Sequence, residues 1–333
     1  ENIAGSGAFS GLSATEYTLA VGQRIELGGK RGARVAAAEA QAQLANLRAD
    51  LAGAELGFLV RERYVAAAAA ASRVGLARDV VERNEELARI AGVLVEVGRE
   101  PPLRALRAEA TLAEARAELQ AAEANSLAAR TALASLWGEQ DTPPLVPGAF
   151  PNIEPPAAVL ASATSLPLQV ARGQSATAAA EIDYERSLRI PDPVVSAGVR
   201  RFEESNDSAF LVGVSIPLPF WNRNQGNIAA AEARLRAANA REVVALADFE
   251  LTVTRARSQY LAAEARVETL STTSLPQAEE ALRLVRIGYR NGRFPLIEVL
   301  SAAEARDAIR EALITAQEDR GQAAAELIRL AAQ

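Results

Sequence analysis

Carboxylates and hydroxyls are the only side chains of this sequence that could support ordinary catalytic chemistry. The 333 residues include 42 Asp and Glu but no Cys and no His. The lack of both types excludes thiol nucleophiles, disulfide bonds, zinc sites of the usual Cys/His kind and histidine general bases. The composition leaves open only an enzyme built on carboxylates or hydroxyls, and nothing in it supports a cofactor or a metal site.

Charge and composition narrow the class of protein further. The net charge of −6 argues against a nucleic-acid-binding protein, which normally needs a basic face. Hydrophobic residues make up 49% of the chain, which is too many for a disordered protein, yet only 5% of residues are aromatic. No apolar run is long enough for a transmembrane helix.

Long stretches without proline predict unusually long helices. Residues 31–100 contain no Pro and are rich in Ala, Leu, Glu and Arg. A helix of about 60 residues would be roughly 90 Å long, which is typical of a coiled coil or a helical barrel. Further helices are predicted over residues 103–136, 168–188, 227–275 with a continuation past Pro276 to 288, and 296–333, with an irregular proline-rich connection over 139–167.

Alternating residues predict strands in three places. Phe210, Val212 and Val214 alternate with mostly small residues, and the pattern continues to Leu218. Residues 17–27 and 195–200 alternate in the same way. An apolar face of this length suits a tilted strand that crosses a bilayer, while a soluble hairpin packed on a helix is the more ordinary alternative.

The chain repeats itself after 193 residues. Residues 17–27 align without gaps on 210–220, Glu39 falls on Glu232, and Pro102 falls on Pro295. Residues 1–138 therefore form a first structural repeat and residues 168–333 a second, separated by the connection at 139–167. A duplication that combines strands with such long helices is a specific signal, and a simple coiled coil lacks it.

Three segments beside the predicted strands resemble the TolC-type outer-membrane efflux channels, in particular the CzcC-like group of heavy-metal efflux systems. They are Glu-Leu-Gly-Gly-Lys-Arg at 26–31, Ile-Pro-Asp-Pro at 190–193, and Pro-Leu-Pro-Phe-Trp-Asn-Arg-Asn-Gln-Gly at 217–226. The resemblance implies a mixed α+β membrane protein, in which four strands per protomer of a homotrimer build a 12-stranded β-barrel continuous with a long α-helical barrel. It also implies that an N-terminal helix and most of a first strand precede Glu1.

The resemblance assigns roles to three groups of residues. Strands turn into barrel helices at Gly28, Gly29, Pro217, Pro219, Asn222 and Gly226. The two interhelical turns form the periplasmic tip that docks the adapter protein, through Gly98, Arg99, Pro102, Asn291, Gly292 and Pro295. The gate includes Tyr289, Arg293, Glu298 and Ser301, where Ser301 replaces a second acid of the family pattern and Phe294 replaces its tethering Arg.

The same resemblance predicts a passive duct in the outer membrane that extends into the periplasm. It would export divalent heavy-metal cations, and its partners would be outer-membrane lipid, a periplasmic adapter and, indirectly, an inner-membrane pump of the RND type. Export of drugs or other organic solutes is an alternative substrate class. A periplasmic adapter and a structural coiled coil are alternative functions, although adapters have a single helical hairpin and lack this duplication.

Overall fold

The computed structural model describes residues 6–7, 14–138, 150–151, 153–156 and 164–332. Long helices dominate this part of the chain, and a single small sheet accompanies them. In chain order the elements are β1 (Glu16–Arg24), α1 (Lys30–Glu96), α2 (Pro102–Ala134) with a 3₁₀ turn (Ser135–Trp137), α3 (Leu166–Ser187), β2 (Val194–Phe202), β3 (Ser208–Ser215), α4 (Gln225–Thr269), a π-helical turn (Leu270–Ser274), α5 (Leu275–Arg290) and α6 (Leu296–Ala331).

The three strands form an antiparallel sheet in the order β1-β2-β3. Cross-strand partners lie on the same face, and Val199 pairs with Leu19 on one side and with Phe210 on the other. The next such row joins Val21, Ala197 and Val212. One face is therefore apolar across its central rows, as the alternation predicts, and its side chains are exposed, with Leu19 at 79% and Phe210 at 89%. Arg201 and Gln23 lie on this face near its two ends.

The opposite face of the sheet carries mostly small or polar side chains, with apolar exceptions such as Val194 and Leu211. It carries Ser196 and Gly198 together with the polar Arg200, whose guanidinium donates to Thr18 Oγ1 at 3.0 Å. A Cβ atom at Gly198 would lie 2.6 Å from the carbonyl oxygen of Leu19, so only glycine fits at that point of the sheet. The two faces thus have the compositions expected for a lipid side and a water side.

Two strands are shorter than the alternation predicts. β1 ends at Arg24, because Ile25 N–H donates to the carbonyl of Pro193, and Pro193 has no N–H with which to complete the next pair of cross-strand bonds. β3 ends at Ser215, because Pro217 and Pro219 have no N–H to donate. The described residues contain three of the four strands expected per protomer, and the predicted strand remnant before residue 14 falls almost entirely outside the described residues.

The described chain divides into two compact units that cut across the sequence repeats. The first unit comprises residues 1–49 and 167–246 and holds the sheet. The second comprises residues 50–166 and 247–333, and each unit takes a part of both repeats. In the second unit the helices approach closely through small residues, since Ala67, Ala68 and Ala324 are fully buried and a Cβ at Gly321 would lie 2.8 Å from Val65.

The π-helical turn Leu270–Ser274 precedes Pro276, the second residue of α5. A proline inside a helix removes one hydrogen bond and crowds the preceding turn, and a wider turn with i→i+5 bonding relieves both effects. The π-helical turn therefore contains one residue more than the same turn of a regular α-helix would. The helix therefore continues past Pro276, as the sequence pattern predicts.

Arginine substitutions on the two faces of β1 should differ in their effect on membrane insertion. We expect Val21→Arg to reduce the yield of folded protein in the outer membrane, because a charge at mid-membrane depth on the lipid face costs about 2–4 kcal/mol. Ala20→Arg changes the neighbouring residue on the water side and should leave the yield near wild type. The measurement is the heat-modifiable fraction of the protein in outer-membrane preparations, and equal losses for the two variants would contradict the assignment of faces.

Candidate functional site

The start of α1 is joined to the segment before β2 by an ion pair. The Nζ atom of Lys30, the only lysine of the chain, lies 2.5 Å from Oδ1 of Asp192. The Lys30 side chain is 8% exposed and that of Asp192 is 15% exposed. The same Asp192 oxygen accepts the backbone N–H of Leu27 at 3.0 Å. One carboxylate therefore binds both the last extended residues after β1 and the first residue of the helix.

This environment lowers the pKa of Asp192. The hydrogen bond from Lys30 is the largest cause, followed by the one from the Leu27 N–H. Both interactions favour the charged carboxylate over its protonated form. Asp192 therefore remains charged in more acidic solution than an ordinary aspartate would.

Two glycines allow the chain to turn between β1 and α1. Gly28 and Gly29 have φ values of 70° and 74°, a region that other residues rarely adopt. They differ in their surroundings, because a Cβ at Gly28 would lie 2.6 Å from the side chain of Ile190, whereas nothing lies within 4 Å at Gly29. The segments at 26–31 and 190–193, which carried the resemblance, are thus in direct contact.

The second strand-to-helix connection, after β3, uses asparagines instead of glycines. Asn224 has a φ of 63°, and its backbone N–H donates to Oδ1 of Asn222 at 2.9 Å. Its own carbonyl accepts the N–H of Ile228, and its side chain donates to Glu185 in α3. Of the predicted residues, Asn222 takes part directly, while Gly226 is an ordinary second residue of α4.

Sequence reasoning missed Asn224. The sequence carried a signal for this turn, because asparagine is one of the few residues that tolerate a left-handed backbone and also cap helices well. Pro217 and Pro219 lie between β3 and this turn, where they end the sheet.

The two interhelical turns have the same backbone geometry. Gly98 and Gly292 both have a φ of 70°, and each ends its helix with the paired bonds of a Schellman motif. The corresponding distances agree closely: Gly98 N to Val95 O is 3.0 Å and Gly292 N to Tyr289 O is 2.9 Å, while Arg99 N to Leu94 O is 2.9 Å and Arg293 N to Gly288 O is 2.8 Å.

The shared geometry changes the alignment of the repeats at these turns. Pro101 is the N-cap of α2 and Pro295 is the N-cap of α6, so Pro295 corresponds to Pro101. The sequence alignment had placed Pro295 on Pro102, which is the first residue of α2. The spacing between the repeats is therefore 194 at the turns instead of 193 at the strands, and the π-helical turn supplies the additional residue.

The predicted gate residues are not all brought together. Tyr289 lines a cavity of about 610 Å³ that also includes residues of α1 and α6, among them Arg83 and Arg306. Glu298 and Ser301 are exposed on the first turns of α6 and do not line this cavity, and Arg293 is exposed in the turn. The Phe294 ring covers Gly288, where a Cβ would collide with it.

A buried charge cluster beside this cavity was also missed. Asp307 is 9% exposed and lies between two guanidinium groups, Arg83 of α1 at 2.5 Å and Arg306 at 2.7 Å. The cluster connects α1 to α6. Its sequence signal is an aspartate four residues after the buried Ala303, on the packing face of a helix where a charge needs a partner.

Neither a metal centre nor a membrane-spanning helix appears in the part of the chain that the structure describes. None of its acidic residues form a group of three or more that could hold a metal ion. None of its helices combines the length and apolarity that crossing a bilayer requires.

The arrangement of a lipid-type sheet face, tight strand-to-helix junctions and very long helices is that of a channel protomer. The family model described as "Outer membrane efflux protein" matches residues 4–139 and 158–333. The chain belongs to this family, and its location is the outer membrane. That membership decides against the periplasmic adapter and the coiled coil as alternatives.

Individual proteins agree with this assignment. The chain is 34% identical to the cobalt-zinc-cadmium resistance protein CzcC of Cupriavidus metallidurans over 84% of its own length and 68% of that protein. It is 33% identical to the nickel-cobalt-cadmium resistance protein NccC of Alcaligenes xylosoxydans xylosoxydans, over 72% of its own length and 55% of that protein. The fold is similar to the outer membrane protein VceC of Vibrio cholerae, with a TM-score of 0.78, 21% identity, and coverage of 95% of this chain and 79% of VceC.

Alanine substitutions at Gly28 and Gly29 should differ in how much they lower the free energy of unfolding. Gly29→Ala carries only the backbone penalty of a left-handed residue, about 1–2 kcal/mol. Gly28→Ala adds a collision with Ile190, which raises the expected cost by about 1–3 kcal/mol. Thermal unfolding of the purified protein in detergent measures both. Equal unfolding temperatures for the two variants would show that Ile190 does not restrict Gly28.

The Lys30–Asp192 pair should make stability depend on pH. Because the folded-state pKa of Asp192 is lowered, the pair stabilises the protein at pH values above the ordinary aspartate pKa of about 3.9. That stability is lost as the pH falls through the lowered pKa. We expect Lys30→Met to lower the unfolding temperature at pH 7, with a difference from wild type that narrows in acid.

The matched control for this prediction is Arg34→Met. Arg34 pairs with Glu26 at 2.8 Å, but both side chains are substantially exposed, so we expect a smaller effect. A deficit of Lys30→Met that is unchanged between neutral and acidic solution would contradict an ionic role for the pair.

Proposed function

We propose that the protein is the passive exit duct of a tripartite efflux system and that it exports divalent heavy-metal cations. The observation that carries the substrate class is the 34% identity to CzcC over 84% of the chain. CzcC and NccC are named for resistance to cobalt, zinc, nickel and cadmium. The duct itself needs no energy source and no enzymatic step, and selectivity resides in its partners.

A homotrimer is supported by the surfaces that a single chain leaves uncovered. Within the described residues, β1 and β3 each have one edge without a partner strand. Unpaired edges are not stable in lipid, so neighbouring protomers are needed to close the sheet into a barrel. Exposed apolar residues on α4, such as Val243 and Val244, also call for a neighbouring surface.

The two Schellman turns form the proposed docking surface for a periplasmic adapter, through which the duct connects to an inner-membrane pump of the RND type. Both turns expose charged or polar residues, including Arg99, Asn291 and Arg293. Their shared geometry would present the same short motif twice per protomer. A crosslinker placed at Arg99 or Asn291 should capture the adapter.

Glu298 is the proposed cation-attracting residue of the gate. It lies in the first turn of α6, it is exposed, and it forms no ion pair with any residue that the structure describes. In a trimer, three such carboxylates near the axis would attract cations and repel one another. Tyr289, Arg293 and Ser301 lie within the same region of sequence and would shape its surroundings.

Metal tolerance tests the proposed function. A strain that lacks this protein should become sensitive to cobalt, zinc, cadmium or nickel and accumulate the metal, because the exit step is lost. The wild-type gene should restore tolerance, while Val21→Arg, which is expected to insert poorly, should not. Unchanged metal tolerance combined with new sensitivity to organic dyes would assign the duct to organic solutes instead.

Glu298→Ala should weaken the cation preference of the open channel and its block by divalent ions. Removal of a ring of carboxylates at a constriction lowers the local concentration of cations. Single-channel recording of the purified oligomer measures both properties. Glu304→Ala, an exposed carboxylate further along α6, is the control, and identical recordings for the two variants would place Glu298 outside the gate.

A further inference from the structure

A cavity of about 530 Å³ lies at the helical end of the sheet, and arginines surround it. It is lined by Arg186 and Arg189 near the end of α3, by Arg223 before α4, and by an apolar wall that includes Leu218 and Phe220. β2 begins where β3 ends, since Val194 pairs with Ser215. The segments that lead into β2 and out of β3, and the cavity between them, are therefore on the helix side of the membrane band.

Two of the three guanidinium groups lack a counter-charge. Arg186 pairs with Glu232 at 2.9 Å. Arg189 and Arg223 are exposed, and their guanidinium groups form no ion pair or hydrogen bond with the residues that the structure describes. The nearby Glu185 carboxylate is engaged by Asn224. The cavity thus carries an excess of positive charge that an anion would balance.

The apolar surroundings suit an anion that also has a hydrophobic part. Phe220 is 73% exposed and Trp221 is 93% exposed, immediately beyond the apolar strand face. Exposed aromatic residues at this level mark the interface between hydrocarbon and water in membrane proteins. An arginine cluster beside such residues suits a phosphate group whose acyl chains continue along the apolar surface.

We propose that this cavity binds the headgroup of an anionic glycerophospholipid in the leaflet facing the helices. Arg189 and Arg223 contact the phosphate, Leu218 and Phe220 pack against the glycerol and upper acyl chain, and Trp221 lies among neighbouring lipids. The site would fix the depth of the junction in the membrane. It depends on the outer-membrane location and is independent of which solute the duct exports.

Quenching of Trp221 fluorescence by brominated lipids tests this site. Trp137→Phe removes the only other tryptophan, and the full chain is reconstituted in phosphatidylcholine vesicles that contain equal mole fractions of either brominated phosphatidylglycerol or brominated phosphatidylcholine. A basic residue near an anionic lipid surface contributes about fivefold to binding. We therefore expect phosphatidylglycerol to be enriched by at least about fivefold at Trp221.

The variant that tests the arginines is Arg189→Gln/Arg223→Gln, in which the enrichment should fall to within about twofold of none. Arg236→Gln/Arg241→Gln makes the same change in net charge on exposed positions of α4 and should keep the preference. Heat-modifiable migration verifies that each variant is folded.

Three results would overturn the proposal. The first is equal quenching by both lipids in the wild-type protein, which would indicate that a neighbouring protomer or solvent fills the cavity. The second is an enrichment that survives in Arg189→Gln/Arg223→Gln. The third is loss of the preference in buffer containing inorganic phosphate, compared with chloride at matched ionic strength, because that would assign the cavity to free phosphate.

Discussion

The main constraint on this fold is the abrupt change from strand to helix after β1. The ion pair between Lys30 and Asp192 stabilises the chain at that point. β1 and α1 are separated by five residues, and within that interval the backbone must exchange cross-strand bonds for helical ones. Asp192 binds one group from each side of the change, and Gly28 lets Ile190 approach closely. The first residue of α1 is thereby held against the segment that leads into β2.

Away from the junction, packing relies on small side chains more than on large ones. The fully buried residues of the second unit are mostly alanines, and only Val65 and Leu168 are large and almost completely buried in the described chain. Close contact between alanine faces gives dispersion energy in many small increments, and it leaves no space for a larger side chain. Ion pairs such as those of Arg73 with Glu311 and Glu318 favour one alignment of helix surfaces that otherwise present similar small side chains.

Much of the fold could be predicted from the sequence because its signals are local. Helix formers without proline, alternation in the strands, and glycine or proline at the turns all act within a few residues. The Asp307 cluster and the contact of Ile190 with Gly28 could not be predicted in this way, since each depends on residues from distant elements. The position of Glu298 relative to the other gate residues is similarly undetermined by spacing, because it depends on how protomers assemble.

The π-helical turn has a consequence for the history of the chain. The two repeats differ in length by one residue between strand and interhelical turn, so this difference arose after the duplication. In a regular α-helix an added residue rotates everything beyond it by about 100° and moves buried alanines to the surface. A π-helical turn accommodates the added residue locally, so the residues beyond it keep their orientation. The two copies could therefore diverge in length while each kept the same helix face toward its neighbours.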